Sequence, residues 1–313
     1  MRLLPAFLKL IRWPNLLFIG LTQLLFYYCI LPFVYELPLK HLKPILSQEN
    51  FYLLLLSSIL IASAGYIIND YFDLNIDRVN KPEKLIVETY IKRRSAILLH
   101  LLTSLTGLII SMYVGYKIHN ILIPLLNLLA IAALWFYSTT FKKMLLIGNI
   151  LISLLTAWVI FILMIAEYAH TRSDNEASAL PKLLKVSILY GGFAFIVSLV
   201  REVIKDMEDI QGDAKYGCHT MPIVWGIPVS KVFVAVWMSV LLGILVIVQF
   251  YFFNLGWWPA SLYCIVSIIG PLILQMKKLY IAQNSQDYHN LSSSIKWIML
   301  AGIFSMIFFR LLI

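Results

Sequence analysis

Charged side chains are scarce in this chain: 13% of its 313 residues are Asp, Glu, Lys or Arg, whereas 61% are hydrophobic. Soluble globular domains carry about 25% charged residues. The composition therefore excludes an ordinary soluble protein and predicts an all-α polytopic membrane protein.

Cysteine is also rare. Cys29, Cys218 and Cys264 lie far apart in the sequence, with no Cys-x-x-Cys spacing. This excludes a disulfide framework and a zinc site of the usual spacing. We expect the three thiols to pack as small apolar side chains.

Long apolar runs, by contrast, are abundant. A membrane-spanning helix needs about 20 predominantly apolar residues. No low-complexity tract or long linker interrupts the chain, so we expect one transmembrane domain covering residues 1–313. Nine runs are long enough to be predicted spans, at 15–34, 51–69, 96–116, 119–138, 147–167, 183–203, 229–253, 257–276 and 293–313.

Basic residues outnumber acidic ones by 25 to 16, but they are divided among short loops rather than gathered in one stripe. We therefore expect no nucleic-acid partner. Seventeen of them lie on the N-terminal side of the nine spans and seven on the other side, and Arg201 lies near the end of the sixth span. The positive-inside rule then places the N-terminus in the cytoplasm, at the cell inner membrane if the source is bacterial. The polar segment 168–182 is interpreted as an outward loop without a chemical role.

Two acidic stretches, at 69–77 and 206–213, each place three aspartates at relative positions 0, 3 and 7. On one helix these positions fall within an arc of roughly 60°. Each stretch follows a long apolar run, where several carboxylates repel one another unless a cation lies among them. We predict that the two clusters face each other, bind a divalent metal and thereby suit a polyphosphate ligand.

The first stretch offers oxygen ligands at helical spacing, because Asn69, Asp73 and Asp77 form an i, i+4, i+8 ladder with Asp70 beside it. Such ligands suit Mg²⁺, which prefers carboxylates combined with substrate phosphate. A polar loop leaving the membrane is the alternative interpretation. The same pattern four spans later argues against it.

Cations next to these clusters predict contacts with a diphosphate. Arg201 and Lys205 directly precede Asp206, Lys142 lies in the short turn after the fourth span, and Lys81 follows the first cluster. Lysine and arginine stabilise the negative charge that grows on a departing diphosphate. For the basic loop residues, a purely topological role is the alternative.

These stretches resemble the signatures of the UbiA superfamily of intramembrane prenyltransferases. The pattern Asn-Asp-x-x-Asp-x-x-x-Asp-x-x-Asn-Lys-Pro at 69–82 looks like the first signature. The pattern Arg-Glu-x-x-Lys-Asp-x-x-Asp-x-x-Gly-Asp at 201–213 resembles the second. The segment 137–149 is similar to the turn between them, and Arg-Trp-Pro-Asn at 12–15 is similar to the opening Arg-Pro-x-Asn with an inserted tryptophan. The resemblance covers nearly the whole chain.

The resemblance implies about nine transmembrane helices bundled around a central cavity, with the acidic clusters at its cytoplasmic mouth. It implies an enzyme that transfers a polyprenyl group from a prenyl diphosphate, with Mg²⁺ as cofactor. The implied catalytic residues are Asp73, Asp77, Asp206 and Asp213. The implied metal ligands are these four together with Asn69, Asp70 and Asp209. The implied diphosphate contacts are Lys142, Arg201, Lys205 and Lys81, and the implied cavity residues are Arg12, Asn15 and Tyr137.

The acceptor is less well defined, because the first signature departs from the family pattern after Pro82, where the chain continues with Glu83 rather than Arg-Pro and a small residue. The form of the second signature looks most like the branch of geranylgeranylglyceryl phosphate and homogentisate prenyltransferases. Basic loops suit an anionic glycerol phosphate and equally an aromatic carboxylate. We favour geranylgeranylglyceryl phosphate, as in ether-lipid synthesis, and keep a hydroxybenzoate, naphthoate or homogentisate type of quinone precursor as the alternative.

A different class of function is a cation-coupled membrane transporter. Transporters place ionisable groups near the bilayer midplane on broken helices. Here the acidic residues follow the ends of apolar runs instead, which favours the enzyme. A catalytically silent scaffold that binds isoprenoid is a third hypothesis, and the intact aspartates argue against it.

Overall fold

The structure, a computed structural model, describes residues 3–36, 44, 46–168 and 179–311. The predicted outward loop therefore falls largely outside the described residues, as do Arg2, Lys40, Lys43 and Arg172, which count toward the predicted topology. Within these ranges all regular elements are helices, which confirms the predicted fold class.

Nine helices of the described chain are long and apolar enough to cross a membrane, and each overlaps one predicted span. They are α1 (Trp13–Tyr35), α2 (Gln48–Asn80), α3 (Arg93–Lys117), α4 (Leu122–Thr139), α5 (Ile147–Tyr168), α6 (Leu180–Glu208), α7 (Gly226–Asn254), α8 (Trp258–Ile281) and α9 (Ser285–Arg310). Short elements lie beside them, at Leu3–Leu10, Pro82–Lys84, Phe141–Lys143, Ile210–Lys215 and Met221–Val224.

Helix α2 is much longer than the apolar run that predicted it. Its 33 residues extend about 50 Å at about 1.5 Å per residue, against a hydrocarbon core of about 30 Å. The helix continues through the first acidic stretch and ends at Lys81, whose φ is −146°, because the residue before a proline is disfavoured in helical conformation. The acidic stretch is thus a rigid extension of a membrane-spanning helix.

Six of the nine helices surround a central space. Helix α1 packs on α2, α5 and α9, helix α4 packs on α2 and α5, and helix α6 packs on α5 and α9. The other three helices pack outside this ring. Helix α3 lies against α2 and α4, helix α7 against α6 and α8, and helix α8 against α7 and α9.

Small residues allow α2 and α3 to approach closely. The Ser57 hydroxyl donates to the Gly107 carbonyl at 2.7 Å, and a Cβ on Gly107 would lie 2.9 Å from the Ile61 side chain. Interfaces of this kind are typical of membrane helices, where close backbone contact replaces hydrophobic burial as the source of packing energy.

The end of the bundle opposite the acidic stretches is filled by a cluster of buried apolar side chains, among them Phe26, Phe51, Leu163 and Phe309. The three cysteines are buried and free, as expected. Close packing at that end leaves the polar chemistry to the other end of the bundle.

Candidate active site

The two acidic stretches, more than 120 residues apart in sequence, meet through Asn80 at the end of α2. The Asn80 amide donates to the Asp209 carbonyl at 3.0 Å, and its oxygen accepts from the Gly212 backbone N–H at 2.8 Å. A Cβ on Gly212 would lie 2.4 Å from the Asn80 amide oxygen, so only glycine permits this contact. The structure thus brings the ends of α2 and α6 together.

Lys81 adds an ionic contact between the same two elements. Its ammonium lies 2.7 Å from Asp209 Oδ2 and 3.3 Å from Glu208 Oε1. Burial lowers the pKa of Lys81, but the two carboxylates more than offset this effect and leave the pKa above its usual value. The predicted diphosphate contact Lys81 is therefore a bridge between the acidic stretches in this structure.

The second stretch does not form one continuous helix, so the single helix predicted for it is wrong. Helix α6 ends at Glu208, Asp209 has φ −98° and ψ 8°, and a new short helix begins at Ile210. At the interruption, the Ser285 hydroxyl donates to the Glu208 carbonyl at 3.1 Å. The Asp209 carbonyl accepts from Asn80 and also from the Asp213 backbone N–H. Asp213 is consequently placed by the short helix Ile210–Lys215 rather than by α6.

In the first stretch, Asp73 is the most connected carboxylate. Asn69 donates to Asp73 Oδ2 at 2.8 Å, and the Lys142 ammonium forms an ion pair with Asp73 Oδ1. Lys142 comes from the turn Phe141–Lys143 after α4. Burial lowers its pKa, but Asp73, with Asp77 and Asp213 nearby, raises it above the usual value. Lys142 thus lies in the field of both acidic stretches.

The remaining carboxylates occupy this same region. Asn149 of α5 donates to Asp206 Oδ2 at 2.8 Å. Burial raises the pKa of Asp213 to about 6; Lys142 opposes this shift, and Asp209 and Asp73 add to it. Negative charge from the two stretches therefore accumulates in one partly buried place.

The fit of these residues to a divalent cation can be judged from their chemistry. Among the described residues, no three His, Cys, Asp or Glu side chains are arranged as a ready metal site. Lysines pair with Asp73 and Asp209 instead. The donors are nevertheless carboxylate and amide oxygens, which Mg²⁺ prefers. Burial is the largest cause of the raised pKa of Asp213, and the nearby carboxylates of Asp209 and Asp73 add to it. The donor set fits a hard cation.

Asp70 faces a different partner from the other aspartates. Its Oδ1 accepts from Arg12 Nη2 at 2.6 Å, and the Arg12 guanidinium lies over the Tyr66 ring, 5.3 Å from its centroid. Asp70 raises the pKa of Arg12 above its usual value. This contact connects the acidic stretch to the wall of the central cavity.

The cavity has a volume of about 230 Å³ and is enclosed by α1, α2, α4, α5, α6 and α9. Apolar side chains such as Phe18, Ile61, Leu134 and Leu155 form most of its wall. The predicted cavity residues Arg12, Asn15 and Tyr137 and the predicted diphosphate contacts Arg201 and Lys205 all line it. Asn69 also lines it and contacts Asp73, so the cavity and the acidic stretches are adjacent.

Two charged residues of the cavity wall had been given no role from the sequence. Glu202 accepts from Arg201 Nη1 at 3.1 Å and from Lys205 Nζ at 2.7 Å. Lys296 of α9 donates to Asn15 Oδ1 at 3.3 Å. A lysine within an apolar span is itself a functional signal. Lys296 lies near the start of the predicted span 293–313, but it was counted only among the seventeen basic residues on the N-terminal side.

The sequence profile of the UbiA prenyltransferase family matches residues 41–300 of this chain. The digeranylgeranylglyceryl phosphate synthase of Methanosphaera stadtmanae is 29% identical over 247 residues, which cover 77% of this chain and 81% of that protein.

Two solved structures share the fold. One, of digeranylgeranylglyceryl phosphate synthase, has a TM-score of 0.62 and 22% identity, covering 98% of this chain and 99% of that chain. The other, a UbiA homologue from Archaeoglobus fulgidus bound to GPP and Mg²⁺, has a TM-score of 0.58 and 15% identity, covering 96% and 99%. Together with the sequence match, these findings favour an enzyme over the carrier and scaffold hypotheses.

Proposed function

This chain belongs to the UbiA prenyltransferase family and is an integral, multi-pass membrane enzyme, and from this premise we propose that it transfers a prenyl group from a prenyl diphosphate to a prenylated glyceryl phosphate, with Mg²⁺ as cofactor. The observation that carries the proposal is the direct bonding of the two acidic stretches beside an apolar cavity. The name of the Methanosphaera relative supports the glyceryl phosphate acceptor. The GPP and Mg²⁺ bound by the Archaeoglobus homologue support the donor class and the metal.

The oxygen ligands for Mg²⁺ would come from both stretches, namely Asn69, Asp70, Asp73, Asp77, Asp206, Asp209 and Asp213. When bound, the metal neutralises the negative charge that builds on the departing diphosphate. Asp70 is the ligand whose role the geometry supports least, because its partner Arg12 lines the cavity, whereas the cations paired with Asp73 and Asp209 lie at the acidic stretches.

Lys142 and Lys81 would bind the diphosphate from the side of the acidic stretches, and Lys205 from the side of the cavity. Each of these cations is now paired with a carboxylate. Diphosphate oxygens can replace those carboxylates as hydrogen-bond acceptors, so the cations become available without new burial of charge.

The reaction then breaks the bond between the allylic carbon and the diphosphate oxygen, and the electron pair leaves with the diphosphate. The acceptor hydroxyl oxygen forms the new ether bond to that carbon, and its proton passes to the departing diphosphate. The apolar wall of the cavity excludes water, which would otherwise compete for the allylic carbon. Tyr137, a cavity residue close to Asp73 and Asp206, would contact the reacting end of the prenyl chain.

The active-site end of the bundle would face the cytoplasm. Seventeen basic residues lie on that side of the nine spans and seven on the other, which supports this orientation by the positive-inside rule.

The direct test is the identity of the product. Membranes containing the chain are incubated with geranylgeranyl diphosphate, Mg²⁺ and a panel of acceptors: geranylgeranylglyceryl phosphate, hydroxybenzoate, naphthoate and homogentisate. We expect a mass increase of one geranylgeranyl group on the glyceryl phosphate alone. Transfer to an aromatic acceptor instead would overturn the proposed acceptor and leave prenyl transfer intact.

A further inference from the structure

Lys296 is a lysine inside the membrane-spanning helix α9 whose side chain lines the cavity. We propose that Lys296 and Arg201, the latter implied as a diphosphate contact from the sequence, instead form a subsite for the phosphate monoester of the acceptor, separate from the diphosphate site, and thereby select a phosphorylated acceptor. This inference rests on the proposed function, since it concerns the second substrate of that reaction.

The two cations lie at similar depth in the bundle. The start of α9 is level with the end of α6, because Ser285 Oγ donates to the Glu208 carbonyl at 3.1 Å. At about 1.5 Å per residue, Lys296 lies about 16 Å from Ser285 along α9, and Arg201 about 10 Å from Glu208 along α6. Both helices pack against each other, so the two cations face the cavity within roughly one helical turn of depth.

The cavity wall carries a surplus of positive charge. Among the described residues that line it, Arg12, Arg201, Lys205 and Lys296 are cationic and only Glu202 is acidic. Asp70 adds one further negative charge beside Arg12, which leaves a net charge of two positive units. A phosphate monoester carries about −1.5 to −2 at neutral pH, so the surplus matches this ligand.

One hydrogen-bond donor of Arg201 has no partner in the described part of the chain. Its Nη1 contacts Glu202 at 3.1 Å, but its buried Nε has no hydrogen-bond partner. A buried N–H without a partner is costly, and a guanidinium presents its N–H groups in a fork that matches phosphate oxygens. An anion in the cavity would satisfy Nε.

A separate phosphate subsite is needed because the acceptor and the donor both carry anionic phosphate. The cations Lys81 and Lys142 pair with carboxylates of the acidic stretches, where the donor diphosphate would bind. Lys296 instead contacts Asn15 of α1, and neither residue belongs to an acidic stretch. Two phosphate groups close together repel strongly unless each has its own counter-charge.

The test compares a prenylated glyceryl phosphate with the corresponding dephosphorylated alcohol as acceptors. The full chain in lipid nanodiscs, with Mg²⁺ and geranylgeranyl diphosphate, is assayed as wild type, Lys296→Met, Lys296→Arg and Arg201→Lys. Lys277→Met, which removes an exposed lysine of α8, is the matched control. For Lys296→Met we expect kcat/KM with the phosphate acceptor to fall by about 10- to 100-fold, as for a lost charge-assisted hydrogen bond.

The kinetic parameter that changes in Lys296→Met distinguishes a lost contact with the phosphate from a structural defect. We expect KM for the phosphate acceptor to rise, while KM for the donor and activity on the alcohol stay unchanged. Lys296→Arg should restore most of the preference, and Arg201→Lys should lower it. An equal loss with both acceptors, or a raised donor KM, would overturn the subsite.

Equilibrium binding of labelled prenylated glyceryl phosphate, without donor, separates this inference from the proposed function. If the wild type binds this acceptor without prenylating it, and Lys296→Met weakens the binding, the subsite is supported and the proposed function is contradicted. If the wild type prenylates this acceptor and Lys296→Met prenylates it equally well, the proposed function is supported and the subsite is contradicted. If the wild type neither binds nor prenylates this acceptor, both are wrong.

Discussion

At the scale of single residues, Asp73 is the carboxylate on which the proposed metal site depends most. It is buried, accepts from Asn69 and pairs with Lys142, so it connects the cavity wall, α2 and the turn after α4. The substitution Asp73→Asn keeps its shape but removes the charge that a metal ligand needs. We expect prenyl transfer to fall by about 100-fold or more, as for the loss of a main electrostatic contact in a transition state.

A control for this substitution lies on the same helix. Glu49 is exposed in the first turn of α2, at the opposite end from Asp73, and Glu49→Gln makes the same chemical change. The activity of Glu49→Gln should equal that of the wild type. Thermal unfolding in detergent should show that Asp73→Asn and Glu49→Gln are both folded. Full activity in Asp73→Asn would show that this carboxylate is not a ligand.

Removal of divalent metal tests the set of ligands together. Because carboxylates from two stretches crowd around Asp213, catalysis without a cation would require a diphosphate to approach uncompensated negative charge. We expect EDTA to abolish prenyl transfer by purified membranes and added Mg²⁺ to restore it. Activity that persists after exhaustive chelation contradicts the proposed cofactor.

The sequence predicts the carboxylates as metal ligands, because aspartates at helical spacing directly after apolar runs repel one another and so indicate a bound cation; their role as ligands stays a prediction. The sequence was insufficient for Glu202 and Lys296. Glu202 acts between Arg201 and Lys205, which only the side-chain geometry reveals. The depth of Lys296 depends on where α9 begins, and the apolar run of 293–313 started eight residues after the helix does.

At the scale of secondary-structure elements, the contact between Asn80 and Gly212 holds the two acidic stretches together. A methyl group at position 212 would collide with the Asn80 amide, 2.4 Å away, and break both hydrogen bonds. We expect Gly212→Ala to destabilise the protein by about 1–3 kcal/mol, as for overpacking at a close contact. Prenyl transfer should fall as well, because Asp209 and Asp213 flank this glycine.

Gly192 in the middle of α6 provides the matched control, since a Cβ there meets nothing within 4 Å. Gly192→Ala should leave activity intact and stabilise α6 by up to about 1 kcal/mol. The apparent Tm in detergent and the transfer rate are measured for both variants. If Gly212→Ala behaves like Gly192→Ala, the Asn80 contact does not position the second stretch.

The two acidic stretches have the same spacing in sequence, yet only the first forms one continuous helix. Nothing within 206–213 forbids a helix, and the interruption at Asp209 coincides with hydrogen bonds from partners distant in sequence, namely Asn80 and Ser285. Periodicity therefore predicted α2 correctly through Asp77 and failed at Asp209. Local sequence patterns report the preference of a segment, and tertiary hydrogen bonds decide where a helix ends.

At the scale of the whole molecule, the nine spans were predictable because apolar length is a strong signal in a lipid environment. The arrangement of the helices around the cavity was not, because it depends on which small residues let two helices approach, as at Ser57 and Gly107. The family resemblance supplied the cavity in advance. The structure adds which six helices form it.

The orientation of the bundle in the membrane yields a final prediction. The short segment after α2 and the turn between α7 and α8 lie at opposite ends of the bundle, as the helix order of the described chain requires. Cysteines introduced by Glu83→Cys and Leu255→Cys, both at exposed positions, should therefore react from opposite sides. The native thiols Cys29, Cys218 and Cys264 are buried and should contribute little labelling. In intact cells an impermeant maleimide should label Leu255→Cys and spare Glu83→Cys, which becomes reactive once the membrane is opened. The reverse pattern would place the acidic stretches outside the cell, away from the cytoplasmic pool of prenyl diphosphate that the proposed reaction requires.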